Sequence, residues 1–189
     1  MFNNCNKKHF YLCYKLFWLF IALTGCITSS TLYAQSTTFK EHQIKAVFLF
    51  NFSQFITWPN FSFQSEKDDF IICIMEHENI FTNIVKKVTN GEHVKGRTIQ
   101  VIRYNRNTKI SGCQILFVTD KAQYDIDWKS VKKLPILTIG ESEGFVNEYG
   151  IINFILNGNN IHFEINHMRA QENGLNISFK LLRLAKIVK

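Results

Sequence analysis

Between residues 38 and 57, apolar side chains return every three or four positions. Ile44, Val47, Phe48, Phe52 and Phe55 share one side of a 3.6-residue helix. Trp58-Pro59 ends the predicted helix, because the proline ring disfavours helical backbone at the residue before it. A second set, Ala46, Leu49, Phe50 and Ile56, falls on the opposite side. A helix apolar nearly all round must be covered from more than one direction. Two readings follow: a central core helix, or a helix that offers one apolar face to a dimer or partner. On the second reading Ala46, Leu49, Phe50, Ile56 and Trp58 are the candidate contacts.

Phe70–Met75 is an unbroken apolar run between Asp68-Asp69 and Glu76-His77-Glu78, the signature of a buried strand, and Ile80–Val88 returns to helical spacing. Arg97–Tyr104 alternates as a second strand. Residues 115–119 form another apolar run, 124–131 a helix, and 135–139 a further strand. Strands alternating with helices predict an α/β domain with parallel pairings. Residues 151–156 and 160–165 flank Asn157-Gly158-Asn159 and read as an antiparallel hairpin. Asn166 is placed to cap a helix that starts at His167 and breaks near Gly174. A last helix is predicted from about Ile177, with Ile177, Leu181, Leu184, Ala185 and Val188 in one stripe beside Lys180, Arg183 and Lys186. The expected fold is a single α/β domain: a mixed, mostly parallel sheet flanked by helices, with a C-terminal antiparallel hairpin and terminal helices.

The start of the chain follows a different pattern. Lys7, Lys8, His9 and Lys15 precede an uncharged apolar stretch over residues 16–27, and residues 28–34 form a polar segment with small residues. This is the layout of an export signal, and the apolar stretch is shorter than the roughly 20 residues that span a bilayer. Residues 1–34 are therefore read as a leader cleaved after Ala34, and residues 35–189 as the domain. Leu23-Thr24-Gly25-Cys26 also resembles a lipobox, with Cys26 as the lipidated residue of an alternative lipoprotein, and an uncleaved N-terminal anchor is a third reading. The leader changes the meaning of the charge. The chain has 22 basic and 15 acidic residues, a net +7, but three of the bases and none of the acids lie in the leader. The remaining +4 is a weak signal for nucleic acid, and none is expected as a partner. Composition fits one globular domain: 46% hydrophobic residues and 18 Phe supply core, while nine Gly and two Pro leave little for linkers.

Cys5, Cys13 and Cys26 fall in the leader. Cleavage leaves Cys73 and Cys113, which in an oxidising compartment can pair only with each other within the chain. Two buried free thiols are the alternative.

Catalytic signatures are scarce: the chain has no Walker-type phosphate loop, no Gly-x-Ser-x-Gly elbow and no His-Glu-x-x-His. Gly140-Glu141-Ser142-Glu143-Gly144 carries two carboxylates that would repel phosphate, and reads as a solvated turn. Glu76-His77-Glu78 and the pair His162 and His167 have ligand chemistry but not converging spacing, so no metal or other cofactor is assigned. Asn51 and Asn153 lie within apolar segments and are expected to be buried amides that satisfy backbone groups.

The order of these segments resembles the YfiR family over roughly residues 41–188. The resemblance rests on Ile44-Lys45-Ala46-Val47-Phe48-Leu49 through Asn51-Phe52, Phe55 and Trp58-Pro59, then Cys73, Gly96-Arg97 and Cys113 with Ile115-Leu116-Phe117-Val118. It continues through Leu137-Thr138-Ile139-Gly140-Glu141, Gly144-Phe145, Gly150-Ile151-Ile152-Asn153-Phe154 and Phe163-Glu164-Ile165-Asn166. It ends in Gly174-Leu175-Asn176-Ile177-Ser178 and Leu181-Leu182-Arg183-Leu184-Ala185. The resemblance implies a periplasmic, non-enzymatic regulatory protein, a homodimer, that binds the periplasmic sensor region of an inner-membrane diguanylate cyclase and inhibits it. Cyclic di-GMP and biofilm formation would then fall. It also implies a disulfide at Cys73 and Cys113; a later disulfide of better-known members has no cysteines here. The alternative functions are a sensory or ligand-binding module serving a histidine kinase, transporter or receptor, and a periplasmic enzyme.

Overall fold

A computed structural model describes residues 29–106, 108–158 and 160–188, with side chains from residue 38 onward. Most of the predicted leader, including Cys26, lies outside the described residues. By its internal contacts the chain divides into residues 1–40 and residues 41–189, and the second unit carries the sheet and its cores.

Helix α1 (Ser29–Phe55) leads into β1 (Ile56–Thr57) and Trp58-Pro59. Then come β2 (Phe70–Met75), α2 (Ile80–Val88), β3 (His93–Val94), β4 (Arg97–Tyr104) and β5 (Ile115–Val118). After β5 a 3-10 segment (Asp120–Asp125) and the single turn α3 (Trp128–Val131) lead to β6 (Leu137–Gly140), α4 (Phe145–Glu148), β7 (Ile152–Asn157) and β8 (Asn160–Asn166). The chain closes with α5 (His167–Glu172), β9 (Asn176–Ile177), α6 (Phe179–Leu182) and β10 (Lys186–Val188). Eight strands form one sheet in the order β10-β8-β7-β6-β5-β2-β4-β3, and β1 pairs with β9 in a separate two-stranded ladder. β4, β2, β5, β6 and β7 run parallel; β7 and β8 form the expected antiparallel hairpin. The α/β architecture with a mixed, mostly parallel sheet is as the sequence predicts.

Strand β2 shows how the sheet organises two cores. Its side chains alternate between faces, so Phe70, Ile72 and Ile74 join α1 and α2 in the larger core. Cys73 and Met75 point to the other side, with Leu116, Val118, Ala122, Ile126 and Val131. Both faces are covered, which is why β2 and β5 read as continuous apolar runs rather than alternating ones. On the larger face, the rings of Phe48 and Phe52 meet those of Phe154 and Phe163, with Phe52 and Phe163 centroids 5.1 Å apart.

A pair of glycines shapes the turn after β6. A Cβ built on Gly140 would lie 2.5 Å from the Phe145 ring, and one on Gly150 only 1.9 Å. Glycine at both positions lets the fully buried Phe145 seat between two backbone segments, so this part of the loop is core rather than a solvated turn.

The C-terminal segment departs from its predicted form. The expected last helix is a single turn, α6, with strands on both sides. Ile177 pairs with Ile56 in the β1–β9 ladder, and Lys186–Val188 adds to β8 as a parallel edge strand. The predicted stripe does not form: Ile177 and Leu181 are buried, but Leu184 is 73% exposed. An isolated helix of this length gains little from its own backbone bonds, and pairing with distant strands wins. The predicted helix over 124–131 likewise resolves into the 3-10 segment and α3, where the Asp127 side chain accepts from Lys129 N. Asn166 caps α5 as expected, accepting from Arg169 N at 2.9 Å.

Candidate functional site

Three features bear on function: the disulfide, the rim of the sheet at the carboxyl ends of its parallel strands, and the outward side of α1.

Cys73 on β2 and Cys113, one residue ahead of the Gln114 that precedes β5, form the disulfide. Both are buried in the smaller core. The bond therefore ties two neighbouring parallel strands on the face opposite α1, away from any exposed rim.

Open α/β sheets bind ligands at the carboxyl ends of strands, where the strand order reverses. Here the reversal lies at β2, with β4 on one side and β5 on the other. That rim is occupied by the protein's own side chains. Glu76 is buried, and its carboxylate accepts the backbone N–H groups of Phe81 and Thr82 at 3.0 and 2.8 Å, satisfying the first turn of α2. Arg103 donates to the carbonyls of Glu76 and His77. Asp125 takes His77 at 2.7 Å and Arg106 at 2.8 Å, which fastens the 3-10 segment over the strand ends. The hydrogen bond from His77 is the main reason the Asp125 carboxyl sits below its ordinary pKa, with Arg106 adding to it against desolvation.

Lys45 closes the same rim from α1. It is 5% exposed and pairs with Glu41 one helical turn back and with Glu141, 2.7 Å away at the end of β6. The second Glu141 oxygen accepts Asp120 N. Burial pulls the Lys45 pKa down, but the charges and hydrogen bonds of Glu141 and Glu41 outweigh it, and the net direction is up from 10.5. Glu141 is thus a structural partner, which corrects the reading of its loop as simply solvated. Replacing Lys45 with Met leaves two carboxylates without their cation, and is expected to cost about 3 kcal/mol in urea unfolding at pH 7. Adding Glu141→Gln should recover part of that loss. Because the folded pKa is raised, Lys45 contributes fully below pH 10.5, and the contribution disappears as pH rises through the folded value. The gap between wild type and Lys45→Met should accordingly hold from neutral pH to the unfolded pKa and shrink above it.

The predicted contact surface on α1 needs correction. Ala46, Leu49 and Ile56 are fully buried and Trp58 is 6% exposed. The Trp58 indole donates to the Gln114 carbonyl at 3.0 Å and packs edge-on against Phe70. These four side chains are core and present nothing to a partner. Phe50 alone of the five lies half-buried on the outward side, beside Val47 and Phe55, which are 45% and 38% exposed. Gln43, Asn51 and Gln54 separate them and are exposed, so Asn51 is not the buried amide expected. Periodicity marks both sides of α1 as apolar and cannot say which one the sheet takes. Lys45 is the signal that was missed: a lysine four residues after Glu41 on the buried side is an ion pair looking for a second carboxylate.

The remaining sequence candidates do not converge. His162 is exposed on β8, while His167 begins α5. Asn153 is buried, and among the described residues its Oδ1 has no hydrogen-bond partner. Among the described residues no three His, Cys, Asp or Glu side chains gather as a metal site.

Residues 42–186 fit the model of a family described as YfiR/HmsC-like, a span that begins just ahead of Lys45 and includes both cysteines and nearly the whole sheet. No curated protein matches the chain.

Proposed function

The chain belongs to the YfiR/HmsC-like family, and from that premise we propose that it is a periplasmic protein that holds an inner-membrane diguanylate cyclase inactive. Membership implies regulation of a diguanylate cyclase by a non-enzymatic protein, and the family match is the observation that carries the reading. The buried disulfide accords with an oxidising compartment.

An inhibitor of this kind works by binding the inactive state of its partner more tightly than the active one. A releasing signal need only remove that preference, and each tenfold of preference corresponds to about 1.4 kcal/mol. The outward side of α1 is the proposed contact with the sensor region of the cyclase. Val47, Phe50 and Phe55 supply apolar anchors there, and the amides between them can bond at the rim of an interface. The domain's rigid attachment of α1 to the sheet, through the Phe52 cluster and Lys45, presents that side at little ordering cost.

Affinity-tagged chain recovered from detergent-solubilised envelope should bring with it a membrane protein bearing a cytoplasmic cyclase domain. The Phe50→Ala variant should retain about one tenth or less of that binding while its melting temperature stays within a few degrees of wild type. Unchanged recovery would exclude this face, and a variant that simply unfolds would make Phe50 core. A variant that keeps the membrane protein but turns a dimer into a monomer would assign the face to self-association.

A further inference from the structure

A cavity of about 410 Å³ opens beside the end of α1, between Trp58, the loop over residues 60–66 and the β3–β4 hairpin. Its volume falls in the range of small-molecule sites. The half-buried ring of Phe63 and the edge of the Trp58 ring give the cavity an apolar floor, with Phe70 buried against both. Lys95 and Arg97 bring positive charge to it, and the exposed Glu66 is its one carboxylate.

The two cations are held in place without a carboxylate of their own. Arg97 stacks on Phe63 with its guanidinium carbon 3.9 Å from the ring centre and donates to the carbonyls of Ser65 and Asp68. The nearby Asp68 carboxylate is taken up by Gln64 N, Ser65 N and Ser65 Oγ. Lys95 donates to the Ile56 carbonyl and Thr57 Oγ1. Among the described residues neither cation forms an ion pair. Neutral oxygens position them, and the charge of Arg97 is partly offset by the nearby Asp68 carboxylate, whose pKa it helps to lower after the hydrogen bonds from Ser65 and Gln64.

The backbone at Lys95 is a second, independent observation. Lys95 and Gly96 form the two-residue turn of the hairpin, with φ of 49° and 82°. Such a turn favours Gly, Asn or Asp at its first central position. Lys95 is the only non-glycine residue with positive φ among the described residues, so a lysine stands where the local geometry prefers another residue. Unfavourable backbone held by its surroundings is a mark of functional positions.

We infer that this cavity binds a small carboxylate with a flat apolar body, the body on the floor made by Phe63 and Trp58 and the carboxylate at Lys95 and Arg97. Such a ligand touches the Thr57-Trp58 segment that follows α1 and the β3–β4 hairpin together, and so lies next to the element proposed to meet the cyclase. Binding itself does not depend on that regulatory reading, and it is measured on the purified oxidised chain alone.

Phenylacetate serves as the probe and phenylacetamide as its uncharged counterpart, with titration calorimetry as readout and the Trp58 indole N–H resonance as a local reporter. Phenylacetate should bind saturably and shift that resonance, and the amide should bind about tenfold more weakly or worse. Lys95→Gly removes the ammonium and suits the turn, so the variant should melt at or above the wild-type temperature. It should nevertheless lose about tenfold in phenylacetate affinity. Absence of saturable phenylacetate binding overturns the inference, as does equal affinity for the amide or an unchanged affinity in Lys95→Gly.

Discussion

Replacing Cys73 and Cys113 together by alanine is expected to lower the stability of the domain by about 4 kcal/mol, the chain-entropy value for a loop of this length. The two cysteines are 40 residues apart in sequence, and the loop they close contains α2 and the whole β3–β4 hairpin. Without the bond, the unfolded chain regains freedom, and the smaller core loses the sulfur contacts around Leu116 and Ile110. Urea unfolding of the oxidised wild type against the double variant measures the difference. Reductant added during unfolding should bring wild type to nearly the same midpoint and leave the variant unmoved. A difference below about 1 kcal/mol would mean that the bond adds little beyond the packing around it.

Phe52→Ala should have an effect of similar size for a different reason. The Phe52 ring is fully buried and meets Phe48, Phe154 and Phe163, so truncation leaves a cavity between α1 and the sheet that rigid neighbours cannot close. The expected cost is about 3–5 kcal/mol, and Phe52→Leu should recover most of it. Phe50→Ala, two residues earlier and facing outward, should cost about 1 kcal/mol or less. The contrast fixes how α1 is turned. Equal losses at the two positions would place both rings in the core and remove the exposed face on which the proposed contact depends.

Much of the sheet could be read from the sequence because its strands announce themselves locally. The charges on either side of Phe70–Met75 bound that strand, and the Asn-Gly-Asn turn marks the β7–β8 hairpin. Helix α2 combines an apolar side with basic residues in its last turn, and its limits agree with prediction. What stayed hidden depends on partners far along the chain. Ile177 looks like the start of a helix until Ile56 is beside it, and Lys186–Val188 becomes a strand only because β8 offers an edge. The same holds for the rim: Glu141 and Lys45 are 96 positions apart, and only the fold brings them together. Helix α1 is the instructive failure. Ala46, Leu49 and Ile56 were legible as one apolar side and Val47, Phe48 and Phe52 as another, yet the sheet takes parts of both. Periodicity gives the angle between residues and not the direction of the core. Of the contact residues picked from sequence, Phe50 survives on an accessible face. The disulfide could be anticipated from cysteine count and the expected compartment, since Cys73 and Cys113 are the two cysteines beyond the predicted leader.

The most direct test of the central claim is intracellular cyclic di-GMP, measured in the native bacterium with this gene deleted and again with it restored. The account predicts a rise on deletion that restoration of the wild-type chain reverses. No change across several growth conditions would contradict the proposed inhibition of a cyclase, and a fall on deletion would reverse the sign of the regulation.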